Sequence, residues 1–315
     1  MTVATRLAAS PIAPLHVDGA RVALVNWLFA RANGGRFILR IDDLDLEAPP
    51  AVSAVEKDLA WLGLAFDERH RQSDRLAHYE LAQRTLRQAD RVYACYETPD
   101  ELAAGAEAML AKGLPAAYRR ARYRPSEAEQ RAFEDEGRAA YWRFELEEGE
   151  IAWDDPVLGA RAFQSGGFED PVVRHAEGCP SVLFASAVDD VELGITHVIR
   201  SEAKIAETPV QIQIMRALGG FLPCFVHLPR LLGAGGEELG EGKGPSIAAL
   251  RERGIEPAAV RSMLATLGMR AAPGSAAELE DLALGFTLSD LAQAPPRFDP
   301  LALERSLREQ RPPQA

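Results

Sequence analysis

Lysine is almost missing from this 315-residue chain: it occurs at Lys57, Lys112, Lys204 and Lys243 and nowhere else, so arginine carries nearly all the positive charge. With 35 basic residues against 47 acidic ones the formal net charge is −12, which excludes a generic, charge-driven nucleic-acid binder, since such proteins carry a basic footprint. Any RNA contact has to be local. Cysteine is also sparse. Cys95, Cys179 and Cys224 are odd in number, scattered and without a CxxC pair, a set that fits neither a disulfide framework nor a zinc site and points to a reducing cytoplasm. No stretch approaches the ~18 apolar residues of a membrane span, and the N-terminus, MTVATRLAASPIAPLHVDG, has no apolar core, so neither export nor membrane insertion is expected. What is there is the composition of a globular protein, 47% hydrophobic and 26% charged, with room for one large domain or two modest ones.

The pattern along the chain begins with a short strand over residues 3–8, a Pro-punctuated loop to Gly19, a helix from Ala20 to Ala32 stopped at Asn33-Gly34-Gly35, and a β-rich run, FILRI, at 37–41. Strand, loop, helix, strand is a βαβ signature. A helix near 50–62 follows, then one after Ser73 with Leu76, Tyr79, Leu86 and Ala89 approximating one face, then a short strand at Tyr93–Tyr96. Thr98-Pro99-Asp100-Glu101 reads as a capping box that starts a helix running to Gly113. From about 97 to 175 the pattern is irregular, with an acidic, Arg-rich middle and then alternating YWRFEL at 141–146, and reads as an inserted α+β subdomain. The parallel-strand pattern is expected to resume with SVLFASAV at 181–188 and THVIR at 196–200. A second capping box, Thr208-Pro209-Val210-Gln211, opens a helix ending at Gly219-Gly220, and HLPRLL at 227–232 is the next apolar run. After the Gly- and Glu-rich loop GAGGEELGEGKGPS at 233–246, the chain reads as helical from Ile247 to about Leu291, with breaks near Gly254 and Pro273 and a frayed tail after Pro295.

Four constellations bear on chemistry. Ser10, His16 and Gly19 sit between a strand and a helix N-terminus, whose N–H groups and dipole suit a phosphate; His16 there is either a donor to a phosphoryl oxygen or an ordinary surface residue. Asp42 and Asp43 close a strand at the edge where open α/β sheets place ligands, so Asp42 pairs with a substrate ammonium, holds Mg²⁺, or caps the next turn. Asp189-Asp190 with His197 and Arg200 stand at two further strand ends, and Arg200 either clamps a carboxylate or makes a structural Arg–Asp pair. Lys243 is a cation able to close over phosphates, although Glu237, Glu238 and Glu241 in the same loop would repel them.

Taken in order, the segments TRLAASPIAPLHVDGARVALVNWLFAR, GGRFILRIDDLDLE, YACYETPDEL, VDDVELGITHVIR and TPVQIQIMRALG resemble the catalytic half of the glutamyl-tRNA synthetase family over roughly residues 3–300. The resemblance implies a Rossmann-type class I catalytic domain split over 1–96 and 176–246, an acceptor-arm subdomain at 97–175, a helical stem-contact region at 247–300 and a tail at 301–315. The family's anticodon-binding domains are not among the matched segments, and in this respect the chain is similar to truncated relatives that glutamylate the queuosine base of a tRNA. The implied substrates are ATP with Mg²⁺, an amino acid such as glutamate, and a tRNA acceptor arm, with no zinc and a cytoplasmic setting. Matching positions put His16 on the reacting phosphate, Arg6 and Arg200 on the substrate carboxylate, Ser10 in the amino-acid pocket, Asp42 on the amino group, and Gly19 and Glu202 beside the nucleotide.

The departures from the family pattern fall at these same places. Asp18 replaces the Gly of the HIGH-type motif and adds negative charge where the nucleotide approaches. Val182 stands where the family has a pocket Tyr, Ser201-Glu202-Ala203-Lys204 stands for GEDH with Ala203 lacking a polar group, and Glu241 replaces the catalytic Lys of the KLSKR-type loop, leaving Lys243 as the only cation close by. Removing one preorganised donor typically slows a reaction roughly 10²–10³-fold, so these changes imply a remodelled site. Two functions are therefore expected: an ATP-dependent ligase with shifted amino-acid or acceptor specificity, using His16 and Lys243, or a non-catalytic relative that binds a tRNA acceptor arm, an amino acid or a protein partner.

Overall fold

The βαβ unit inferred from residues 3–41 forms. In the computed structural model, which describes residues 2–10, 14–44, 53–120, 125–240, 242–270 and 278–299, β1 (Ala4–Ala9) and β2 (Arg36–Ile41) pair in parallel, Ala4 opposite Arg36 and Ala9 opposite Ile41. The crossover α1 (Val17–Ala32) begins three residues earlier than the sequence pattern suggests, so Asp18 and Gly19 belong to its first turn and not to the loop before it. The return to β2 needs glycine twice: Gly34 has φ of +58°, and a Cβ on Gly35 would overlap the Val3 carbonyl. α2 (Ser53–Leu62) leads to β3 (Glu68–Arg71), which pairs in parallel with β2, and α3 (Leu76–Gln88) follows. The inner face of α3 is Tyr79, Ala82, Gln83 and Leu86; Leu76 and Ala89, expected on it, are exposed.

β4 (Val92–Cys95) leaves this sheet. It precedes α4 (Pro99–Ala111), α5 (Glu127–Asp135), β5 (Tyr141–Phe144), β6 (Glu150–Asp155), β7 (Gly159–Gln164) and β8 (Val172–Arg174). β4, β5 and β8 form an antiparallel sheet in that order, and β6 and β7 form a hairpin, so the smaller sheet spans the position-96 boundary drawn from the sequence. α4 starts with the reciprocal Thr98–Glu101 cap anticipated above, and α5 repeats the device with Ser126 and Glu129.

The run at 181–188 is not a strand. It is the start of α6 (Val182–Glu192), N-capped by Ser181, whose hydroxyl accepts from the Phe184 amide. A short apolar run fits a buried strand and a buried helix equally well by periodicity, and here the Ser cap and the Ala-rich middle favour the helix. β9 (His197–Ser201), α7 (Thr208–Ala217) and the parallel partner β10 (Cys224–Leu228) complete the large layer. Thr196 joins the two halves of that layer: its amide donates to the Ala4 carbonyl at 2.9 Å, and its hydroxyl accepts from the Ala4 amide at 2.9 Å. The anticipated capping box at Thr208 is absent. A 3₁₀ turn, Glu202–Glu207, runs straight into α7, so the N-cap is Glu207 without a side-chain bond, and Thr208 is buried.

β11 (Leu232–Gly233), α8 (Ile247–Glu252), α9 (Pro257–Thr266), α10 (Leu279–Ala283) and β12 (Arg297–Phe298) form the C-terminal part. The expected break near Pro273 and the 301–315 tail lie outside the described residues. α1 is buried along almost its whole circumference, which requires cover on both sides; β1, β2 and β9 supply one and α9 and α10 the other. Among the described residues no helix is long and apolar enough to cross a membrane.

Candidate active site

Side chains alternate faces along a strand, so Arg6 on β1 and Arg40 on β2, in register two residues apart, point to the same face of the sheet. α6 covers that face. Because 182–192 is helical, Ser186, Asp189 and Asp190 fall within one turn of each other, and all three approach Arg40. Its guanidinium donates to the Ser186 hydroxyl at 2.9 Å and to Asp190 at 3.0 Å, and stands 3.8 Å from Asp189. A strand would have sent Asp189 and Asp190 to opposite faces. Arg6 donates to both oxygens of Asp190, at 3.0 and 3.2 Å. Asp189 accepts from Arg75 at 2.7 Å, from the Tyr79 hydroxyl at 3.0 Å and from Gln72 at 3.3 Å. Burial pushes Asp190 up, but Arg6 and Arg40 outweigh it and hold this carboxyl below its ordinary range.

Asp42, the first residue after β2, is held by the same Arg40 through both oxygens, at 2.7 and 3.0 Å. Each oxygen accepts one guanidinium N–H and keeps a further lone pair, so Asp42 retains acceptor capacity for a substrate cation. Among the described residues no group of three His, Cys, Asp or Glu side chains is placed to hold a metal ion. Burial raises the Asp42 pKa in spite of Arg40. The Asp42 amide donates to the Ala9 carbonyl, which brings Asp42 beside Ser10, exposed just beyond the end of β1.

Arg200, on β9, does not make the structural Arg–Asp hydrogen bond offered as its alternative role. Its Nε donates to His227 Nε2 at 3.3 Å and its Nη2 to the Thr208 hydroxyl at 2.7 Å. Among the described residues the one carboxylate within 4.0 Å is that of Glu207, at 3.6 Å and partly exposed. Burial, and then repulsion by Arg6, pull the Arg200 pKa down to about 10. The structure thus gathers Arg6, Asp42 and Arg200 at one sheet edge, with Asp190 bound to Arg6 and within the field of Arg200. Val182 opens α6 half-buried, Glu202 opens the 3₁₀ turn after β9 half-buried, and Ala203 beside it is exposed.

The second pole lies at the start of α1. His16 is its N-cap residue and gives no side-chain cap; its Nδ1 lies 3.0 Å from the Gly244 carbonyl. The Val17 amide donates to the Pro245 carbonyl and the Ile247 amide to the Leu15 carbonyl, so the segment before α8 is seated against the helix start. That seat puts Gly244 against His16, with Lys243, exposed, one residue before it in the chain. Glu241 lies outside the described residues. Gly19 has a packing reason for being glycine, since a Cβ there would stand 3.0 Å from Leu15 Cδ1. Asp18 turns inward: it is buried, 3.8 Å from the buried Arg21 guanidinium.

The sequence pattern did not mark Arg40, Arg75, His227 or Asp155 as site residues, and read Tyr79 and Thr208 only as a helix-face residue and a helix cap. The available signal was a polar residue inside an apolar strand, Arg40 in RFILRI and His227 in CFVHL, since a buried polar group needs partners.

Residues 2–300 match the family described as tRNA synthetases class I (E and Q), catalytic domain. The chain is 43% identical over 309 residues to a glutamate–tRNA ligase of Azospirillum brasilense, covering 97% of this chain and 69% of that protein. It is 45% identical over 302 residues to glutamate–tRNA ligase 2 of Methylorubrum populi, covering 95% and 67% respectively. In three dimensions it is similar to a solved glutamate-tRNA synthetase from Elizabethkingia anophelis, with a TM-score of 0.87 at 28% identity over 98% of this chain and 70% of that one.

Proposed function

Given that this chain belongs to the class I tRNA synthetase family for glutamate and glutamine, we propose that it binds glutamate at Arg6, Asp42 and Arg200 and, with ATP at His16 and Lys243, activates it for transfer to a tRNA acceptor arm. The observation that carries this reading is the state of Arg200. Its hydrogen bonds go to neutral acceptors and its one nearby carboxylate among the described residues, the partly exposed Glu207, stands 3.6 Å away, whereas Arg6 and Arg40 are hydrogen-bonded to Asp190 and Asp42. A buried guanidinium of this kind favours a carboxylate from outside the chain. A dicarboxylic amino acid has one carboxylate to hold and one to react, and the one held by Arg200 is not the nucleophile, because the guanidinium withdraws its charge. The free α-carboxylate attacks the α-phosphorus of ATP, the bond to the bridging oxygen breaks and pyrophosphate leaves.

His16 has a defined part in that step. A carbonyl only accepts, so Nδ1 carries the proton in its bond to Gly244, and Nε2 donates to a phosphoryl oxygen only when the ring is an imidazolium. Lys243 supplies a positive charge for the phosphates. Mg²⁺ belongs with ATP in this family, bound to the phosphates; no carboxylate cluster among the described residues is assigned to it.

A second reading, a non-catalytic binder of an amino acid or an acceptor arm, is favoured by Glu241, which stands in the sequence where the family resemblance puts a catalytic lysine. Glu238, paired with Arg230 at 2.6 Å, and Glu237, folded against Gly233, do not add to that case. Amino-acid-dependent pyrophosphate exchange with bulk tRNA present, run over a panel of amino acids, separates the two readings. Exchange with glutamate that disappears in His16→Ala supports activation. No exchange from folded protein, with glutamate still bound, supports the second reading, and restoration by Glu241→Lys would identify the lost step.

A further inference from the structure

Arg200 owes its placement to groups far away in sequence. Asp155, the last residue of the β6 strand in the 150–164 hairpin, is fully buried and uses both carboxylate oxygens. Oδ1 accepts the amides of Val157 and Leu158 at 2.9 and 3.0 Å, which closes the hairpin turn. Oδ2 accepts the His227 amide at 3.0 Å and His227 Nδ1 at 2.7 Å. The His227 ring is fully buried as well. A carboxylate only accepts, so Nδ1 bears the proton and Nε2 presents its lone pair. That lone pair faces Arg200 Nε at 3.3 Å and the Thr208 hydroxyl at 3.0 Å, while the same hydroxyl accepts from Arg200 Nη2 at 2.7 Å. Every donor in the chain meets an acceptor in one direction only, from Arg200 through Thr208 and His227 to Asp155.

We propose that Asp155, His227 and Thr208 are positioning residues that hold the Arg200 guanidinium in the orientation in which it meets a substrate carboxylate. The assignment rests on the reading of Arg200 given above. A guanidinium on a long, flexible stem loses rotamer entropy when it binds, and holding it in place beforehand removes that penalty from the binding step. With the opposite tautomer, or with a protonated ring, His227 would turn an N–H toward the Nε–H of Arg200 and the two donors would repel. The Asp155 carboxylate is what prevents this. The arrangement also ties the hairpin to the amino-acid pole, because the residue that closes the hairpin turn orients the ring that orients Arg200.

Two substitutions at position 227 separate positioning from simple packing. Asn places an amide near the Nδ1 position, so His227→Asn keeps the donor to Asp155 and leaves nothing to accept from Arg200. Gln reaches the Nε2 position, so His227→Gln restores the acceptor and loses the bond to Asp155. Both lower the melting temperature. The test uses the whole chain and two readouts: the Arg200 Nε–H resonance in ¹⁵N-edited spectra, identified by its loss in Arg200→Lys, and calorimetric binding of L-glutamate.

His227→Asn is expected to lose the slowly exchanging Nε–H signal and to bind L-glutamate about tenfold more weakly, the usual scale for a hydrogen bond to a charged group. His227→Gln is expected to keep the signal and stay near the wild-type affinity. The assignment is overturned if His227→Asn keeps both, or if affinity in the two variants merely follows their melting temperatures. If neither variant folds, Thr208→Val carries the test, with loss of the Nε–H protection supporting the assignment and its retention together with full affinity overturning it. If the resonance behaves as expected and even the wild type binds no L-glutamate, the positioning role stands and the reading of Arg200 as a substrate clamp falls.

Discussion

Asp18 changes meaning between a sequence motif and a folded chain. As a replacement for a family glycine it reads as a negative charge facing the nucleotide, yet its carboxylate sits inside, 3.8 Å from Arg21. Arg21 is itself buried and donates to the carbonyls of Leu267 at 3.1 Å and Pro229 at 2.7 Å, which ties α1 to the segments after α9 and β10. Burial pulls the Arg21 pKa down to about 10 and Asp18 opposes that fall. The side chain therefore compensates a buried cation. Asp18→Asn keeps the shape and removes the charge, and is expected to destabilise the fold by about 1–3 kcal/mol, less than for a hydrogen-bonded buried pair because the two groups are 3.8 Å apart. Urea unfolding at neutral pH measures this, and a variant as stable as the parent would show that Arg21 needs no such partner.

At the scale of the element, α6 is where the acidic half of the site is built. A helix gives Ser186, Asp189 and Asp190 a common side, and its start depends on Ser181, which accepts from the Phe184 amide at 3.4 Å and donates to the Val172 carbonyl at 2.6 Å. Ser181→Ala removes both bonds. The expected loss is about 1 kcal/mol, the usual value for an N-cap, read as a lower denaturation midpoint with an unchanged slope. A changed slope would mean instead that α6 frays in the native state. The same residue explains why Val182, though it begins the element, is only half-buried: it lies in the first turn, beside the cap.

For the whole molecule, the arrangement of buried ion pairs sets the response to acid. Burial lowers the pKa of His227 and of His197 below the ordinary histidine value. A group with a depressed folded pKa contributes stability above its unfolded pKa and loses it as pH falls through the folded one, so these two histidines begin to weaken the fold below about pH 6.5. Asp190 and Asp155 are also held low, Asp190 against burial by Arg6 and Arg40, Asp155 against burial by His227 and two amides, and their contribution is lost below about pH 4. Asp42 and Asp58 run the other way, raised by burial, so protonating them relieves a strain as pH falls. Between about pH 6.5 and about pH 4 the two depressed histidines and the two raised aspartates oppose each other, and below about pH 4 the contributions of Asp190 and Asp155 are lost as well, so the denaturation midpoint is expected to fall most steeply below about pH 4. A midpoint that stays flat below about pH 4 would mean that the ion pairs of Asp190 and Asp155 contribute nothing to stability.

The βαβ unit, the Thr98–Glu101 cap and the glycine stop after α1 were legible in the sequence because each depends on local terms, namely periodicity, cap chemistry and positive φ, that neighbouring residues decide. So were Arg6, Asp42, Arg200 and His16 as residues of interest, since they match a family motif position by position. The helical state of residues 182–192 was harder to read, because a short apolar run satisfies either period and the Ser181 cap that favours the helix is a weak local signal until Asp190 meets the arginines on β1 and β2. The fate of Thr208 was not legible: a capping residue by pattern, it becomes a link between Arg200 and His227 once the preceding turn continues into α7. The inward turn of Asp18 and the Asp155–His227 bond join residues 3 and 72 positions apart, and neither spacing announces the contact. Local chemistry determined the elements and the family; only tertiary packing decided which charges meet, because a buried charge takes the partner that distance allows and not the one that sequence order suggests.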